Sequence, residues 1–97
     1  MKSAYVIGNI IIKDKDKWLE YRARVAQTLR PWGGELVFRG KALEALSGKK
    51  DHTDTVVISF PGMDYLNGWF NSDDYQELIP TRNLAAKMDL ISYSSEA

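Results

Sequence analysis

Four stretches rich in β-branched and aromatic residues and two amphipathic stretches follow one another along this 97-residue chain. Their order is strand, helix, strand, strand, helix, strand, which is that of the split β-α-β, or ferredoxin-like, arrangement. The sequence therefore predicts an α+β fold, a four-stranded antiparallel sheet with its helices on one face. The length fits a single domain over residues 1–97.

The composition argues against several classes of protein. Lys plus Arg and Asp plus Glu both number 13, and this zero net charge argues against a nucleic-acid or membrane-surface partner. There is no cysteine, which excludes disulfides, thiolate catalysis and cysteine-based zinc sites. With one histidine and no suitable acidic spacing, we expect neither a metal nor a cofactor. The N-terminal apolar run is too short to span a membrane and lacks a secretory cleavage pattern, which favours a cytoplasmic location.

The first strand is predicted over Ala4 to Ile12, a run rich in Val and Ile. Asp14 is a suitable N-cap for the helix that follows. Apolar residues then recur every three or four positions and define one helical face: Trp18, Tyr21, Val25, Leu29 and Trp32. Pro31 predicts that the regular helix ends near Leu29, and Gly33-Gly34 completes the stop by permitting positive φ.

The second strand is predicted over Glu35 to Arg39. Side chains alternate between the two faces of a regular strand. Strict alternation places Leu36 and Phe38 on one face, and Val37 and Arg39 on the other.

A hairpin is predicted to follow the second strand. Gly40 favours a bulge or bend, after which Ala42 to Leu46 resumes extended structure. The polar segment from Ser47 to Asp54 reads as the hairpin loop. The central strand is then predicted from Thr55 to Phe60, and Pro61-Gly62 ends it.

Three short helical pieces and a strand are predicted to complete the chain. A helix from Met63 to Asn71 folds back over the central strand. Ser72 is predicted to cap the next turn, and Pro80 fits the first turn of a further helical piece. The last strand is predicted near Met88 to Ser94, with a mobile tail over residues 95–97.

The first strand also predicts how the protein assembles, because both of its faces are apolar. One face carries Tyr5, Ile7 and Ile11, and the other carries Val6, Ile10 and Ile12. Helices cover only one face of this fold, and apolar patches above a few hundred Å² are unusual on monomers. At about 25 cal/mol per Å², covering such a face contributes several kcal/mol per chain. We therefore expect a homodimer through the sheet faces; the alternative is a monomer with a more polar outer face.

A set of residues in fixed order also carries a family resemblance: Gly33-Gly34, Arg39-Gly40, Leu46, Gly48, Phe60-Pro61, Trp69, Ser72, Tyr75 and Arg82. Nearly the whole chain resembles the domain-of-unknown-function family numbered 1330, within the dimeric α+β barrel superfamily. The resemblance implies a ferredoxin-like fold and a homodimer built through the sheets. The chain departs from the family pattern at Lys41, where members often carry glycine, and at Ser47, where they often carry glutamate. The wider superfamily includes cofactor-free monooxygenases, muconolactone-type isomerases and haem enzymes, a likeness of fold alone.

The expected site is a pocket between the sheet and the helices, with Trp69, Ser72 and Tyr75 near its mouth. The candidate ligand-binding residues are Tyr21, Arg39, Trp69, Ser72, Tyr75 and Arg82. Arginines beside aromatic rings suit a carboxylate-bearing or enolate-like ligand, because a guanidinium binds carboxylate bidentately. Tyr75 or Tyr21 would act as a proton donor if burial and a cation tuned it.

Each candidate also has a structural alternative. Trp69 suits the core, Ser72 a helix cap, Tyr75 ring packing, Arg39 an ion pair across the dimer, Arg82 an ion pair with Glu77 or Asp74, and His52 a solvated loop. Two hypotheses follow from the sequence. The first is a small homodimeric enzyme or binding protein that takes a small organic acid or aromatic-like compound without a metal. The second is a non-catalytic dimeric interaction or regulatory module.

Overall fold

Residues 4–95 are described by a computed structural model, which confirms the ferredoxin-like fold. The four strands are β1 (Ala4–Ile12), β2 (Glu35–Lys41), β3 (Asp54–Phe60) and β4 (Ala86–Ser94). They form one antiparallel sheet in the order β2-β3-β1-β4. The helices are α1 (Lys15–Leu29), α2 (Met63–Asn71), α3 (Asp73–Gln76) and α4 (Ile79–Ala85). Of the tail predicted to be mobile, residues 96 and 97 lie outside the described part.

Helix α1 begins and ends where its capping residues predict. The Asp14 side chain accepts a hydrogen bond from the Lys17 backbone N–H at 3.1 Å. The helix ends at Leu29 and tightens into a 3-10 turn over Arg30–Trp32. Of the two glycines that follow, only Gly33 adopts a positive φ, at 68°. The chain therefore turns at Gly33 and enters β2 directly.

The core lies between the helices and one face of the sheet. From the sheet, the alternate residues of β1 and β3 are buried: Ala4, Val6, Ile10, Val56, Ile58 and Phe60. From the helices, the buried side chains are Trp18, Tyr21, Val25, Leu29, Leu66, Trp69, Tyr75 and Leu78. Trp32 is only partly buried and lies over Gly68, where a Cβ would come within 2.3 Å of the indole ring. This layer of side chains fixes α1 and α2 on the same face of the sheet.

Strand β2 contains a bulge that the sequence did not predict correctly. Leu36 pairs with Ile58 and Phe38 with the next residue of β3, Val57, so Val37 is the extra residue. Leu36 and Arg39 therefore share the helix side of the sheet, whereas Phe38 points to the other side. The predicted facings, Leu36 with Phe38 and Val37 with Arg39, are wrong because strict alternation ignores an inserted residue. The irregularity lies at Val37, ahead of the predicted position at Gly40.

The segment after β2 is a loop over residues 42–53, and the extended segment predicted from Ala42 to Leu46 is not formed. One backbone hydrogen bond, from Ala42 N–H to Thr53 O at 2.7 Å, closes the base of the loop. Leu43 and Leu46 are 84% and 92% exposed. Their apolar side chains suggested a strand, but they have no sheet neighbour to cover them. Strand β4 begins two residues earlier than predicted, at Ala86.

The sheet face away from the helices carries a row of apolar side chains, which we call the outer face: Tyr5, Ile7, Phe38, Val57, Ile91 and Tyr93. Phe38 is 54% exposed, Ile91 47% and Tyr93 46%. The register places Ile7 between Val57 and Ile91, so these side chains are contiguous. No helix in the described part of the chain is long and apolar enough to cross a membrane.

Candidate functional site

A cavity of about 430 Å³ lies between α1 and the helix side of the sheet, and we call it the α1 cavity. Most of its wall is apolar, including Trp18, Val25, Val56, Ile58, Trp69 and Met88. A Cβ at Gly8 would lie 3.0 Å from Val56 Cγ1 and 3.3 Å from Leu90 Cδ1. Because Gly8 has no side chain, these two wall residues close over it. The cavity thus resembles the largely apolar pockets in which proteins hold small organic molecules.

Two arginines line this apolar cavity, Arg22 from α1 and Arg39 from β2, and both side chains are exposed to solvent. The pKa of Arg39 is lowered from its ordinary value, first by partial burial and second by the positive charge of Arg22. Within residues 4–95, neither guanidinium pairs with a carboxylate. The bulge in β2 is what places Arg39 on this side of the sheet. The cavity therefore carries uncompensated positive charge.

Three side chains from three helices, Tyr21 of α1, Tyr75 of α3 and Arg82 of α4, form a hydrogen-bonded chain that begins at the cavity wall. Tyr21 Oη lies 2.9 Å from Tyr75 Oη, and Arg82 Nη1 donates to Tyr75 Oη at 3.1 Å. Tyr75 is fully buried. Burial, and then the neighbouring Tyr75, raise the pKa of Tyr21 far above its usual value, and the charge of Arg82 opposes this only weakly. Tyr21 is therefore a neutral phenol at physiological pH.

Trp69 and Ser72 are both held by hydrogen bonds within the fold. The indole N–H of Trp69 donates to Thr28 Oγ1 at 2.9 Å, and the Thr28 hydroxyl donates to the carbonyl of Val25 at 2.7 Å. Ser72 Oγ accepts from the backbone N–H of Tyr75 at 3.2 Å and donates to the carbonyl of Trp69 at 2.7 Å. Ser72 thus caps α3, as the sequence predicted. The Trp69 ring forms part of the cavity wall.

The structure brings together three of the six candidate residues at the α1 cavity: Tyr21, Arg39 and Trp69. Ser72, Tyr75 and Arg82 do not line it. Ser72 and Tyr75 were expected near its mouth, but α3 directs the Tyr75 ring against Trp69, with ring centroids 4.3 Å apart. Among the described residues, Arg82 donates to Tyr75 and Asn83, not to the predicted partners Glu77 or Asp74. Tyr75 therefore contacts Tyr21 from outside the cavity, and Arg82 contacts Tyr75 in turn.

Two residues that the sequence did not single out contribute to the site. Arg22 adjoins Tyr21 and follows Trp18 by four positions, so it lies at the border of the apolar helical face. A helical-wheel plot of α1 that included the polar residues at this border would have identified Arg22 as a candidate. Thr28 was missed because a threonine three positions from Val25 reads as an ordinary helix residue, although it is buried and holds Trp69.

His52 lies at a second, separate depression. Its volume is about 600 Å³, and it is polar, lined by Asn9, Lys49, Asp51, His52, Lys87 and Asp89. Its lining includes two lysines and two aspartates, and this mixture of charges favours solvation over selective binding of one kind of ion. His52 is partly buried there and does not reach the α1 cavity.

The fold and the cavity define a ferredoxin-like α+β protein with an apolar, positively charged cleft. The chain belongs to the family described as Domain of unknown function (DUF1330), whose model matches residues 3–94. A comparison with curated proteins gives no significant match.

Solved structures of low identity share the fold. A protein of unknown function from Rhodopseudomonas palustris superposes with a TM-score of 0.80 at 14% identity, over 99% of this chain and 84% of that one. SnoaB, a cofactor-independent oxygenase from Streptomyces nogalater, gives 0.69 at 9% identity, over 100% and 96%. A dimeric ferredoxin-like protein of unknown function from Jannaschia gives 0.70 at 11% identity, over 95% and 98%.

Proposed function

We propose that this protein is a homodimer that binds a small, largely apolar organic acid in the α1 cavity. The observation that carries the proposal is the pair of unpaired guanidiniums, Arg22 and Arg39, on the wall of an apolar cavity of about 430 Å³. The ligand class follows from that combination: an aromatic or similar hydrocarbon body with a carboxylate or enolate oxygen.

The charge of the cavity supports an anionic ligand. The pKa of Arg39 is lowered first by its partial burial and then by the nearby positive charge of Arg22. A carboxylate between Arg22 and Arg39 removes the repulsion and accepts charge-assisted hydrogen bonds from planar donors. Ligand binding would thus compensate the charge that the fold leaves unpaired.

The shape and lining of the cavity support an apolar body for the ligand. Trp18 and Trp69 present aromatic rings, and the sheet contributes aliphatic side chains such as Val56 and Ile58. Burial of an apolar ring against these residues contributes about 25 cal/mol per Å² of surface removed from water. A fully polar anion would forgo this contribution.

The chemistry of the wall favours binding over acid–base catalysis. Its ionisable groups among the described residues are Arg22, Arg39 and Tyr21, all of which stay protonated at neutral pH. These groups bind and orient an anion but do not remove a proton from it. SnoaB has the same fold and is a cofactor-independent oxygenase. A reaction of that kind in this cavity would rely on the reactivity of the bound anion itself.

The test compares two compounds of the same shape, 2-naphthoate and its neutral analogue 2-naphthamide, by isothermal titration calorimetry. We expect wild type to prefer the carboxylate, and Arg39→Gln or Arg22→Gln to weaken its binding about tenfold, the value of one charged hydrogen bond. Binding of the amide should change little. Arg24→Gln, on the same helix but outside the cavity wall, is the matched control. Equal affinity of wild type for the two compounds, or an equal loss in the control, would refute the anion site.

The proposal of a homodimer is based on the outer face of the sheet. Phe38, Ile91 and Tyr93 are each about half exposed and lie on the side that the helices leave uncovered. A second copy that packs sheet against sheet would bury them. The Jannaschia structure of the same fold is of a dimeric protein, which supports self-association here.

A second candidate function is a non-catalytic interaction module, and the loop over residues 42–53 favours it. Leu43 and Leu46 are 84% and 92% exposed on this loop. Two such exposed apolar side chains, three positions apart on one loop, suit contact with another protein. Substituting both with serine would weaken partner binding in that case and leave 2-naphthoate binding unchanged, so the two functions are separable by experiment.

A further inference from the structure

The hydrogen-bonded chain Tyr21–Tyr75–Arg82 has a defined direction, and that direction bears on what the α1 cavity recognises. A guanidinium has donors only, so Arg82 Nη1 donates and Tyr75 Oη accepts at 3.1 Å. The Tyr75 hydroxyl still has its own proton to place. Tyr75 is fully buried, and within residues 4–95 its other hydroxyl partner is Tyr21 Oη, at 2.9 Å.

The opposite direction, from Tyr21 to Tyr75, would leave the buried hydroxyl proton of Tyr75 without an acceptor. If Tyr21 donated to Tyr75, the Tyr75 oxygen would accept two hydrogen bonds and its own proton would have no acceptor in a place that water does not reach. An unsatisfied buried donor is unfavourable, and Tyr21, unlike Tyr75, belongs to the cavity wall, so the unpaired proton is better placed on Tyr21. The direction Arg82 to Tyr75 to Tyr21 is therefore favoured.

This direction leaves the hydroxyl proton of Tyr21 without a partner. Its oxygen accepts from Tyr75, and the described residues offer its own O–H no other acceptor. Of the three members of the chain, only Tyr21 lines the cavity. We infer that Tyr21 presents a free O–H donor to the α1 cavity and selects ligands that carry a hydrogen-bond acceptor, such as a carbonyl oxygen, in addition to their anionic group.

Tyr75 and Arg82 are positioning residues in this arrangement. Neither lines the cavity, but together they fix the direction of the bond and hold the Tyr21 ring. Donation from Tyr75 also polarises the Tyr21 hydroxyl and makes it a better donor, because hydrogen bonds in a chain strengthen one another. This inference rests on the proposed function, and it narrows the ligand class to keto-acids or similar compounds with an apolar body.

The binding test uses two carboxylates of nearly equal shape, 4-acetylbenzoate and 4-isopropylbenzoate, in which a methyl group replaces the carbonyl oxygen. We expect Tyr21→Phe to weaken 4-acetylbenzoate about tenfold relative to 4-isopropylbenzoate, the value of one buried hydrogen bond. Tyr75→Phe and Arg82→Met should give a smaller loss in the same direction, about threefold. A purely structural role of these residues would weaken both compounds equally, and that result would overturn the inference.

A ligand-free measurement separates this inference from the proposed function. The tyrosine doublet in the ultraviolet resonance Raman spectrum distinguishes a phenol that accepts from one that donates, and the difference between wild type and Tyr21→Phe isolates Tyr21. We expect the signature of an acceptor; the signature of a donor to Tyr75 would overturn the inference while leaving the anion site intact. If neither benzoate nor 2-naphthoate binds wild type, the proposed function fails and the ligand selection falls with it, whatever the Raman spectrum shows.

Discussion

The hydrogen bond between Trp69 and Thr28 holds one wall of the α1 cavity, and Thr28→Val tests its strength. Valine has nearly the shape of threonine but leaves the Trp69 indole N–H, 2.9 Å from the lost oxygen, without an acceptor. Trp69 is 1% exposed and Thr28 7%, so water cannot replace it. An orphaned buried donor costs about 1–3 kcal/mol, and the extra buried methyl group returns up to about 0.8 kcal/mol.

The expected net loss of unfolding free energy is about 1.5 kcal/mol, which corresponds to a Tm lower by about 8 °C for a chain of this size. Urea unfolding at fixed protein concentration, followed by tryptophan fluorescence and circular dichroism, measures the loss. Thr28→Ser is the control, because it keeps the hydroxyl and loses only a methyl group.

A double-mutant cycle makes this test specific. Trp69→Phe removes the indole N–H, so Thr28→Val should change stability little in that background. The cycle should give a coupling energy of about 1.5 kcal/mol between Thr28 and Trp69. An equal loss in both backgrounds, or a Thr28→Val protein as stable as wild type, would show that the bond does not hold the wall.

Two further predictions concern pH and assembly. The usual pKa of tyrosine is 10.0 and folding raises that of Tyr21, so above about pH 10 the unfolded state loses this proton while the folded state keeps it. The free energy of unfolding should then fall by up to about 1.4 kcal/mol per pH unit because of Tyr21. Urea unfolding between about pH 9 and 11 measures this fall, and in Tyr21→Phe the unfolding free energy should decrease less steeply with pH. The same pH dependence in wild type and Tyr21→Phe would contradict the prediction. Phe38→Lys places a charge on the outer face at the β2 edge of the sheet, and light scattering should then give the monomer mass. Leu84→Lys, 63% exposed on α4, is the matched control and should remain dimeric; a monomeric wild type would remove the basis of the prediction.

The elements of the fold were predictable where local chemistry decides them. Asp14 caps α1, Pro31 and Gly33 end it, and Ser72 caps α3, because each of these residues satisfies or denies backbone hydrogen bonds within a few positions. The apolar period of α1 likewise predicted its buried face. These features need no information about the rest of the chain.

The site was less predictable because it depends on contacts between distant segments. The bulge at Val37 follows from pairing with β3, and nothing in the local sequence distinguishes Val37 from its neighbours. The partners of Arg82 could not be found from spacing, since the short helices α3 and α4 bring it onto Tyr75 and away from nearby acids. The pairing of Arg22 with Arg39 shows the same limit, because Arg22 lies on helix α1 and Arg39 on strand β2.

The bulge in β2 also decides that Arg39 lies on the helix side of the sheet and Phe38 on the outer face. β2 is an edge strand and pairs only with β3 in the described sheet, so this one ladder decides which way each of its side chains points. The Phe38 ring lies across Gly40, where a Cβ would come within 2.3 Å of it, and this contact leaves no room for a side chain at Gly40. A slip by one residue would exchange Phe38 with Arg39, so that the guanidinium would enter the outer face and the phenyl ring would fill the α1 cavity. A single inserted valine would therefore set both the proposed ligand recognition and the proposed self-association, and a change in this strand aimed at one of them would also disturb the other.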